Sequence, residues 1–387
     1  MTARQIQVLV IGGGYAGVMA ANRLTSRDDL AVTVVNPRPH FVERIRLHQL
    51  VAGNDDAIVA YGEVLNTGVR LLVAGVERID AAARRVTLST GASLAYDYLV
   101  YAVGSTGAPP VSVPGAAQFA HSVSEWEHAT RLTARLADVA LSAPIVVVGG
   151  GLTGIETAAE LAEAGRSVTL VSTVVGPSLS GPGRRSVTKR LRRLGVAIVE
   201  GVTVTAVGPD HVALSGGRHL ASAVTVWAAG FGVPGLAAAS GLTTDGMGRV
   251  VTDETYTSVD DDRIVAAGDA AAPARLPYRM SCQASLPMGV LAADTVLARI
   301  AGDPLVAATV PMSAQCISLG RRAGTLQLQR RDDTPVGVYI GGRAGALIKE
   351  QVCRWTVKWM AGEAAEPGSY RSMKGPARAA APAEAIA

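Results

Sequence analysis

Two nearly identical glycine-rich segments constrain the fold of this chain more than any other feature. The first, VLVIGGGYAGVMAANRL, spans residues 8–24, and the second, IVVVGGGLTGIETAAEL, spans residues 145–161. In each segment a short apolar run precedes G-x-G-x-x-G, and an Ala-rich helical pattern follows it. Another strand-like run follows in each case, LAVTVVN at 30–36 and SVTLVS at 167–172. This context is typical of a dinucleotide-binding βαβ unit, so the sequence predicts two such units in an α/β fold.

Both glycine loops are expected to hold a pyrophosphate. The first glycine of such a loop permits a tight turn, the second lets the backbone approach the phosphates, and the third lets the helix pack on the strand. Two cradles imply two nucleotides, and hydride transfer typically pairs a bound flavin with an exchanging nicotinamide. The predicted contacts are Gly12, Gly14, Tyr15, Ala16 and Gly17 in the first loop and Gly149, Gly151, Leu152, Thr153 and Gly154 in the second.

Composition excludes several other classes of function. The net charge of +4 is modest and the arginines are scattered, so no nucleic-acid partner is expected. The three cysteines, Cys282, Cys316 and Cys353, have neither the spacing of a redox pair nor histidines at metal-ligand spacing, so neither a dithiol relay nor a metal site is predicted. No membrane-spanning run is predicted, and the apolar start is interpreted as a strand rather than a secretory signal. A cytoplasmic protein is expected.

The order of these patterns predicts how the domains are arranged. A Rossmann-like FAD-binding domain is expected to be split, with its first part at 1–118 and its second part at 246–305. A Rossmann-like NAD(P)H-binding domain at 119–245 is inserted between them. A small α+β domain is predicted at 306–362, and the Ala-, Pro- and Gly-rich segment 363–387 is predicted to be a flexible tail.

Five motifs in order carry a family resemblance. They are GGGYAG, DYLVYAVGS, VVVGGGLTGIE, VTVWAAGFGVP and RIVAAGDAA. With these motifs the chain resembles the pyridine nucleotide-disulfide oxidoreductase superfamily, the flavoproteins with two dinucleotide-binding domains, over about residues 5–305. Within that superfamily it resembles the branch of type II NADH dehydrogenases and apoptosis-inducing factors, which lacks the redox disulfide.

The resemblance implies roles for further residues. Asp269 is expected to bind the ribityl chain of FAD, and Gln283 is expected to point from the start of a helix at the flavin. Glu156 resembles a family carboxylate near the stacked flavin and nicotinamide, so Glu156 and Gln283 are the predicted catalytic residues. The alternative interpretations are that Glu156 is an ordinary surface residue in the first turn of a helix and that Asp269 is a helix cap. The remaining predicted contacts are Asn36, Arg38, Arg44 and Gly104 for FAD, and Ser172, Arg184 and Gly230 for NAD(P)H.

Two positions depart from the family pattern. Asn36 stands where an acidic residue usually holds the adenosine ribose of FAD, and an amide can still bond those hydroxyls. Ser172 stands where an acidic residue would favour NADH. Because Ser172 removes the repulsion of a 2′-phosphate and Arg184 or Arg185 can supply a cation, NADPH is expected to be accepted alongside NADH or preferred to it. The two arginines read equally well as the solvated start of a helix.

The resemblance implies an FAD-dependent NAD(P)H dehydrogenase that passes electrons to a quinone-type acceptor. A soluble biosynthetic flavoenzyme acting on an aromatic or quinoid metabolite, and a redox-sensing module similar to apoptosis-inducing factor, are the alternatives. The helix pattern at 346–360 places Ile348, Val352, Trp355 and Trp359 on one face, with Lys349, Arg354 and Lys358 around it. This stripe is interpreted as a core or homodimer face, or as a weak peripheral membrane contact.

Overall fold

The computed structural model describes residues 4–274 and 276–376. Its first sheet is parallel and five-stranded, and the first glycine loop leaves its central strand. The elements of this first part are β1 (Ile6–Ile11), α1 (Tyr15–Leu24), β2 (Leu30–Asn36), β3 (His40–Val42), α2 (Leu47–Val51), β4 (Ile58–Ala60), α3 (Tyr61–Val64), β5 (Arg70–Val73), β6 (Val76–Asp80), β7 (Arg85–Leu88), β8 (Ser93–Ala95) and β9 (Tyr98–Tyr101). A short 3₁₀ turn at Arg44–Arg46 leads into α2.

The second sheet repeats this plan. Its elements are α4 (Ala116–Phe119), β10 (Ala120–Ser122), α5 (Trp126–Ala137), β11 (Pro144–Val148), α6 (Leu152–Glu163), β12 (Ser167–Ser172), α7 (Gly181–Arg193), β13 (Ala197–Glu200), β14 (Val204–Val207), β15 (His211–Leu214), β16 (His219–Ala221), β17 (Val224–Trp227) and α8 (Leu236–Ala239). The strand order β10-β17-β11-β12-β13 is all parallel. An antiparallel three-stranded ribbon accompanies each repeat, β6-β7-β8 in the first and β14-β15-β16 in the second.

The chain then returns to the first sheet. The returning elements are β18 (Val250–Thr252), β19 (Ile264–Ala266), β20 (Ala271–Pro273) and α9 (Cys282–Ala301). Strand β19 pairs in parallel with β9, which completes the order β19-β9-β1-β2-β5. Helix α9 packs on α1 so closely that a Cβ at Gly289 would lie 2.2 Å from the Ala16 carbonyl oxygen. The fold is therefore α/β, with two Rossmann-like sheets and the first one interrupted by the second.

Long apolar helices in this fold belong to its core. Among the described residues one helix, α9, is long and apolar enough to cross a membrane, but most of it is buried in the protein. It alternates small residues with Leu, Met and Val and covers the sheet beside α1. Its burial between a helix and a sheet explains its high hydropathy, because a core helix can be as long and as apolar as a membrane-spanning helix.

The C-terminal part is small and mixed, as its sequence pattern predicts. Its elements are β21 (Ala314–Ser318), β22 (Gly324–Gln329), β23 (Pro335–Gly341) and α10 (Gly342–Ala365). The three strands form an antiparallel sheet, and α10 crosses it and reaches α1.

The prediction of a flexible tail at 363–387 is wrong for its first part. Helix α10 continues to Ala365, and the next residues fold back on it: the buried Glu363 carboxylate accepts hydrogen bonds from Gly368 N (2.8 Å) and Tyr370 N (2.7 Å). Gly375 N donates to Thr309 O. Composition alone did not reveal these backbone bonds, which fix a polar segment without any apolar periodicity. Residues 377–387 lie outside the described residues.

Candidate active site

One cavity joins the two glycine loops. Its volume is about 1300 Å³, and both Gly14 and Gly151 line it. A Cβ at either glycine would meet nothing within 4 Å. In contrast, a Cβ at Gly17 would lie 1.8 Å from the carbonyl oxygen of Gly12, and a Cβ at Gly154 would lie 1.9 Å from the carbonyl oxygen of Gly149. The second glycine of each loop thus leaves room for a ligand, and the third lets the helix approach the strand, as the sequence predicted.

Most of the predicted contact residues line this cavity. Those from the first domain are Gly12, Gly14, Tyr15, Ala16, Asn36, Arg38, Arg44, Gly104, Asp269 and Gln283, and those from the second are Gly151, Leu152, Thr153 and Glu156. Six predicted residues are not among its lining: Gly17, Gly149, Gly154, Ser172, Arg184 and Gly230. Four of these six are glycines whose backbone shapes turns or close contacts, and their part in cofactor binding stays a prediction.

Asp269 lies in the 3₁₀ turn Gly268–Ala270, directly after β19. Its carboxylate accepts hydrogen bonds from Ser105 Oγ (2.6 Å) and Ser285 Oγ (3.4 Å). Arg44 is held nearby, because its guanidinium donates to the carbonyl oxygens of Ser105 and Ser124. These bonds fix a carboxylate and a cation in the cavity wall, where hydroxyl and phosphate groups of a nucleotide could bind.

The adenosine end of the first loop departs from the prediction. Asn36 Oδ1 accepts from Gly13 N at 3.0 Å, so the amide braces the glycine loop from within. Arg38 forms ion pairs with Glu127 (2.7 Å) and Glu125 (3.0 Å) at the start of α5. Glu125 also lines the cavity. The other domain thus places a carboxylate at this end of the cavity, and sequence reasoning missed it because it comes from a distant part of the chain.

The end of strand β12 in the second domain also differs from the prediction. Ser172 Oγ donates to Val174 O (2.8 Å), and Arg184 donates to Val175 O (3.0 Å) and Glu200 (3.1 Å). Glu200 ends β13 as the register partner of Ser172. The neighbouring strand thus provides a carboxylate at this edge of the sheet, and Arg184 is already paired with it.

Glu156 lies in a buried cluster of charges at the cavity wall. Its carboxylate is 3.1 Å from Lys349 Nζ and 3.6 Å from His48 Nδ1, and it accepts from Ser318 N at 2.9 Å. Burial opposes ionisation, but Lys349, His48 and the Ser318 amide outweigh it and lower the pKa of Glu156. Burial of Lys349 favours its neutral form, but the attraction of Glu156 outweighs this effect and raises the pKa of Lys349. Both groups are therefore charged near neutral pH.

The predicted position of Lys349 is wrong. The sequence pattern placed it with Arg354 and Lys358 around the apolar face of the helix, but it is buried and faces Glu156. Of the predicted apolar stripe, Val352, Trp355 and Trp359 line the cavity, whereas Ile348 does not. Trp355 and Trp359 line the cavity and are also exposed at the surface, each at 41%, so a membrane contact and a homodimer remain predictions.

Gln283 lies at the start of α9, where the Ser281 hydroxyl caps the helix by accepting from Ala284 N. In the orientation that gives both atoms of its side-chain amide a partner, the nitrogen donates to Ala314 O (2.7 Å) and the oxygen accepts from Ser313 N (3.1 Å). Gln283 thereby ties α9 to β21 beside the apolar part of the cavity.

The residues present fit two nucleotide cofactors. Besides the two open glycines, the cavity wall carries buried polar atoms without a hydrogen-bond partner among the described residues, namely Tyr15 Oη, His40 Nε2 and His48 Nε2. Within residues 4–274 and 276–376 no group of His, Cys, Asp and Glu is arranged to hold a metal ion. These features define a flavoprotein oxidoreductase with two dinucleotide sites that face one cavity.

Comparison with known proteins agrees with this class. The model of the pyridine nucleotide-disulphide oxidoreductase family matches residues 6–293, and the chain belongs to that family. An NADH dehydrogenase-like protein of Mycobacterium tuberculosis is 37% identical over 346 residues, covering 81% of this chain and 86% of the relative. A type II NADH:quinone oxidoreductase of the same species is 25% identical, covering 77% of this chain and 74% of the relative.

Solved structures share the fold. The sulfide:quinone oxidoreductase of Aquifex aeolicus has a TM-score of 0.79 at 20% identity and covers 92% of both chains. NDH2 of Plasmodium falciparum in complex with NADH has a TM-score of 0.78 at 14% identity, covering 95% of this chain and 99% of that chain. The chain is thus an NADH dehydrogenase-like oxidoreductase, and the predicted cofactors, FAD with NADH or NADPH, are those of its family.

We expect catalysis without a dithiol. All three cysteines are free, and burial raises the pKa of Cys282 to about 12 and that of Cys316 to about 11, so both stay protonated. Replacing Cys282, Cys316 and Cys353 together by Ala is expected to leave the rate of flavin reduction by NADH within about threefold of the wild type. Stopped-flow absorbance measures this rate. A folded, FAD-loaded triple variant that NADH no longer reduces would revive a thiol mechanism.

Proposed function

We propose that this oxidoreductase transfers the electrons of NAD(P)H through FAD to a quinone. The observation that carries the proposal is the apolar section of the cavity that the C-terminal elements line. Val352, Trp355 and Trp359 of α10 wall it on one side and Leu326 of β22 lines it as well. Aromatic and branched side chains of this kind favour a planar, weakly polar ligand.

Each domain would hold one cofactor in the single cavity. The first glycine loop, Asp269 and Arg44 would hold FAD, whose isoalloxazine ring supplies two-electron chemistry when bound. The second loop around Gly151 would hold NAD(P)H. Because both loops open into the same space, the protein can align donor and cofactor, and alignment is the main requirement of hydride transfer. The cationic Lys349 would favour negative charge that develops on a reduced acceptor.

The test compares a quinone with an acceptor that needs no pocket. Trp359→Ala is expected to raise the KM for menadione by about tenfold, which corresponds to the roughly 1.4 kcal/mol expected for a lost aromatic contact. The reduction of ferricyanide should be unchanged. Leu347→Ala is the matched control, since Leu347 is exposed on the same helix and does not line the cavity.

Two other outcomes would favour the alternatives. If the NADH-reduced enzyme passes electrons slowly to quinones, ferricyanide and oxygen alike, a redox-sensing role gains support and the dehydrogenase proposal fails. If quinones react no faster than ferricyanide while Trp359→Ala abolishes the turnover of an aromatic metabolite, the biosynthetic role replaces quinone reduction.

We expect NADH to be preferred to NADPH, in contrast to the sequence-based expectation. Glu200 restores the negative charge that Ser172 lacks, and its ion pair occupies Arg184. Glu200→Gln removes the repulsion of a 2′-phosphate and frees Arg184, so kcat/KM for NADPH should rise by about tenfold. Glu77→Gln, a charge change on β6 of the other domain, is the control. A wild type that already prefers NADPH would contradict this assignment.

A further inference from the structure

Three carboxylates run along one face of α6 from the cavity toward the surface. Glu156, Glu160 and Glu163 are four and three residues apart, which places them on one side of a helix. Their side chains are 9%, 0% and 23% exposed, and Glu156 lines the cavity. The run therefore extends from the cavity toward the surface, and its middle member is fully buried.

His48 of α2 lies between the first two carboxylates. Its Nδ1 is 3.6 Å from Glu156 Oε2, and its Nε2 is 4.0 Å from Glu160 Oε1. The ring is 3% exposed, lines the cavity, and its Nε2 has no hydrogen-bond partner among the described residues. Both distances exceed the length of a hydrogen bond by about 1 Å or less, so a small side-chain movement would bring His48 within hydrogen-bond distance of either carboxylate.

Glu160 is the link to solvent. Its carboxylate accepts hydrogen bonds from Arg321 (2.6 Å), Ser318 Oγ (3.0 Å) and Asn54 Nδ2 (2.9 Å). Asn54 is exposed and the Arg321 side chain is 36% exposed, so a movement of either side chain lets water reach the carboxylate. Water must reach it directly, because neither an amide nor a guanidinium passes a proton on. Burial outweighs these partners and raises the pKa of Glu160 above its ordinary value.

The charges that face His48 keep it neutral at rest. Burial acts first, and Lys349, Arg321 and Arg46 add to it against the attraction of Glu156, which together lower the pKa of His48 to about 4. A neutral imidazole has one N–H and one lone pair. It can therefore accept a proton on one nitrogen and release one from the other.

We propose that His48 passes protons from Glu160 to the Glu156–Lys349 pair at the cavity wall. The net reaction is NAD(P)H + H⁺ + quinone → NAD(P)⁺ + hydroquinone. NAD(P)H supplies both electrons and one proton, and the second proton comes from solvent along Glu160, His48 and Glu156. The destination of this proton rests on the proposed quinone reduction, whereas the path rests on the geometry. His48 relays the proton and affects the acceptor only through Glu156.

The first test is chemical rescue in the FAD-loaded enzyme. His48→Ala is expected to lower kcat with menadione by at least about tenfold, as for other lost proton donors. Ferricyanide takes up electrons and no protons, so its reduction should stay within about twofold. Added imidazole should restore the menadione rate. His121→Ala, which changes a histidine outside the cavity, is the control. Equal losses with both acceptors and no rescue would show a merely structural role and overturn the proposal.

The second test does not depend on turnover. In the enzyme with ¹⁵N-labelled histidine and no acceptor, the His48 ring proton is expected to exchange with solvent through Glu160, and Glu160→Gln should slow this exchange at least about tenfold. Exchange that is unchanged in Glu160→Gln would overturn the path. A wild type that reduces ferricyanide but no quinone, with exchange slowed as expected, would contradict the proposed function and leave the proton path standing.

Discussion

Gly14→Val is expected to yield a folded protein without FAD, whereas Gly151→Val should keep FAD and lose reduction by NADH. A Cβ at either position meets no protein atom within 4 Å, so the valine side chain points into the cavity where a pyrophosphate would lie. FAD content measured by absorbance after gel filtration should fall from about one per chain to below a tenth in Gly14→Val. Stopped-flow reduction should fall at least a hundredfold in Gly151→Val, roughly as expected when binding loses about 3 kcal/mol.

This pair of variants is its own control, because the same change is made in the same structural context twice. Circular dichroism should show the same secondary structure in both. Full FAD content in Gly14→Val, or loss of FAD in Gly151→Val, would mean that the two loops have been assigned to the wrong nucleotides.

The second large effect is expected at the buried ion pair. Lys349→Met leaves the Glu156 carboxylate without its cation in a buried position, which typically costs about 3–5 kcal/mol of unfolding free energy. The double variant Lys349→Met/Glu156→Gln removes both charges and should recover most of this loss. Urea unfolding of the FAD-loaded proteins measures the difference. Lys358→Met, an exposed lysine on the same helix, should change stability by less than about 0.5 kcal/mol.

A Lys349→Met variant as stable as the Lys358→Met control would show that Glu156 does not need its partner. In the single variant the pKa of Glu156 is expected to rise, because burial then acts with less opposition. Its stability should therefore recover in part as the pH falls and the carboxyl takes up a proton. The sign follows from linkage, since the folded state then binds a proton more readily than the unfolded state.

The fold was predictable because its signals are local. The glycine spacing and the flanking apolar runs specify each βαβ unit within about 30 residues, and two copies in one chain imply two sheets. Strand β19 was also predictable, since RIVAAGDAA carries a strand pattern and a recognisable end.

The centre of the site was harder to predict because its partners meet only in three dimensions. Lys349 was grouped with the exposed Lys358 as a cation beside an apolar stripe, and its sequence neighbours do not reveal that it faces Glu156. His48 is likewise distant in sequence from both carboxylates that it approaches. Glu200 escaped notice for a related reason: it ends the strand beside β12, and register between parallel strands is set by the sheet and not by either strand alone.

The pairing of β19 with β9 has a consequence for how the chain is made. The second sheet draws all its strands from residues 120–227, one uninterrupted stretch, whereas the first sheet lacks its edge strand until Ala266 has been synthesised. On a ribosome, where domains fold as units when their last strand emerges, the middle domain can close first although the amino-terminal domain was begun earlier. The pocket for FAD is then assembled around a neighbour that is already folded.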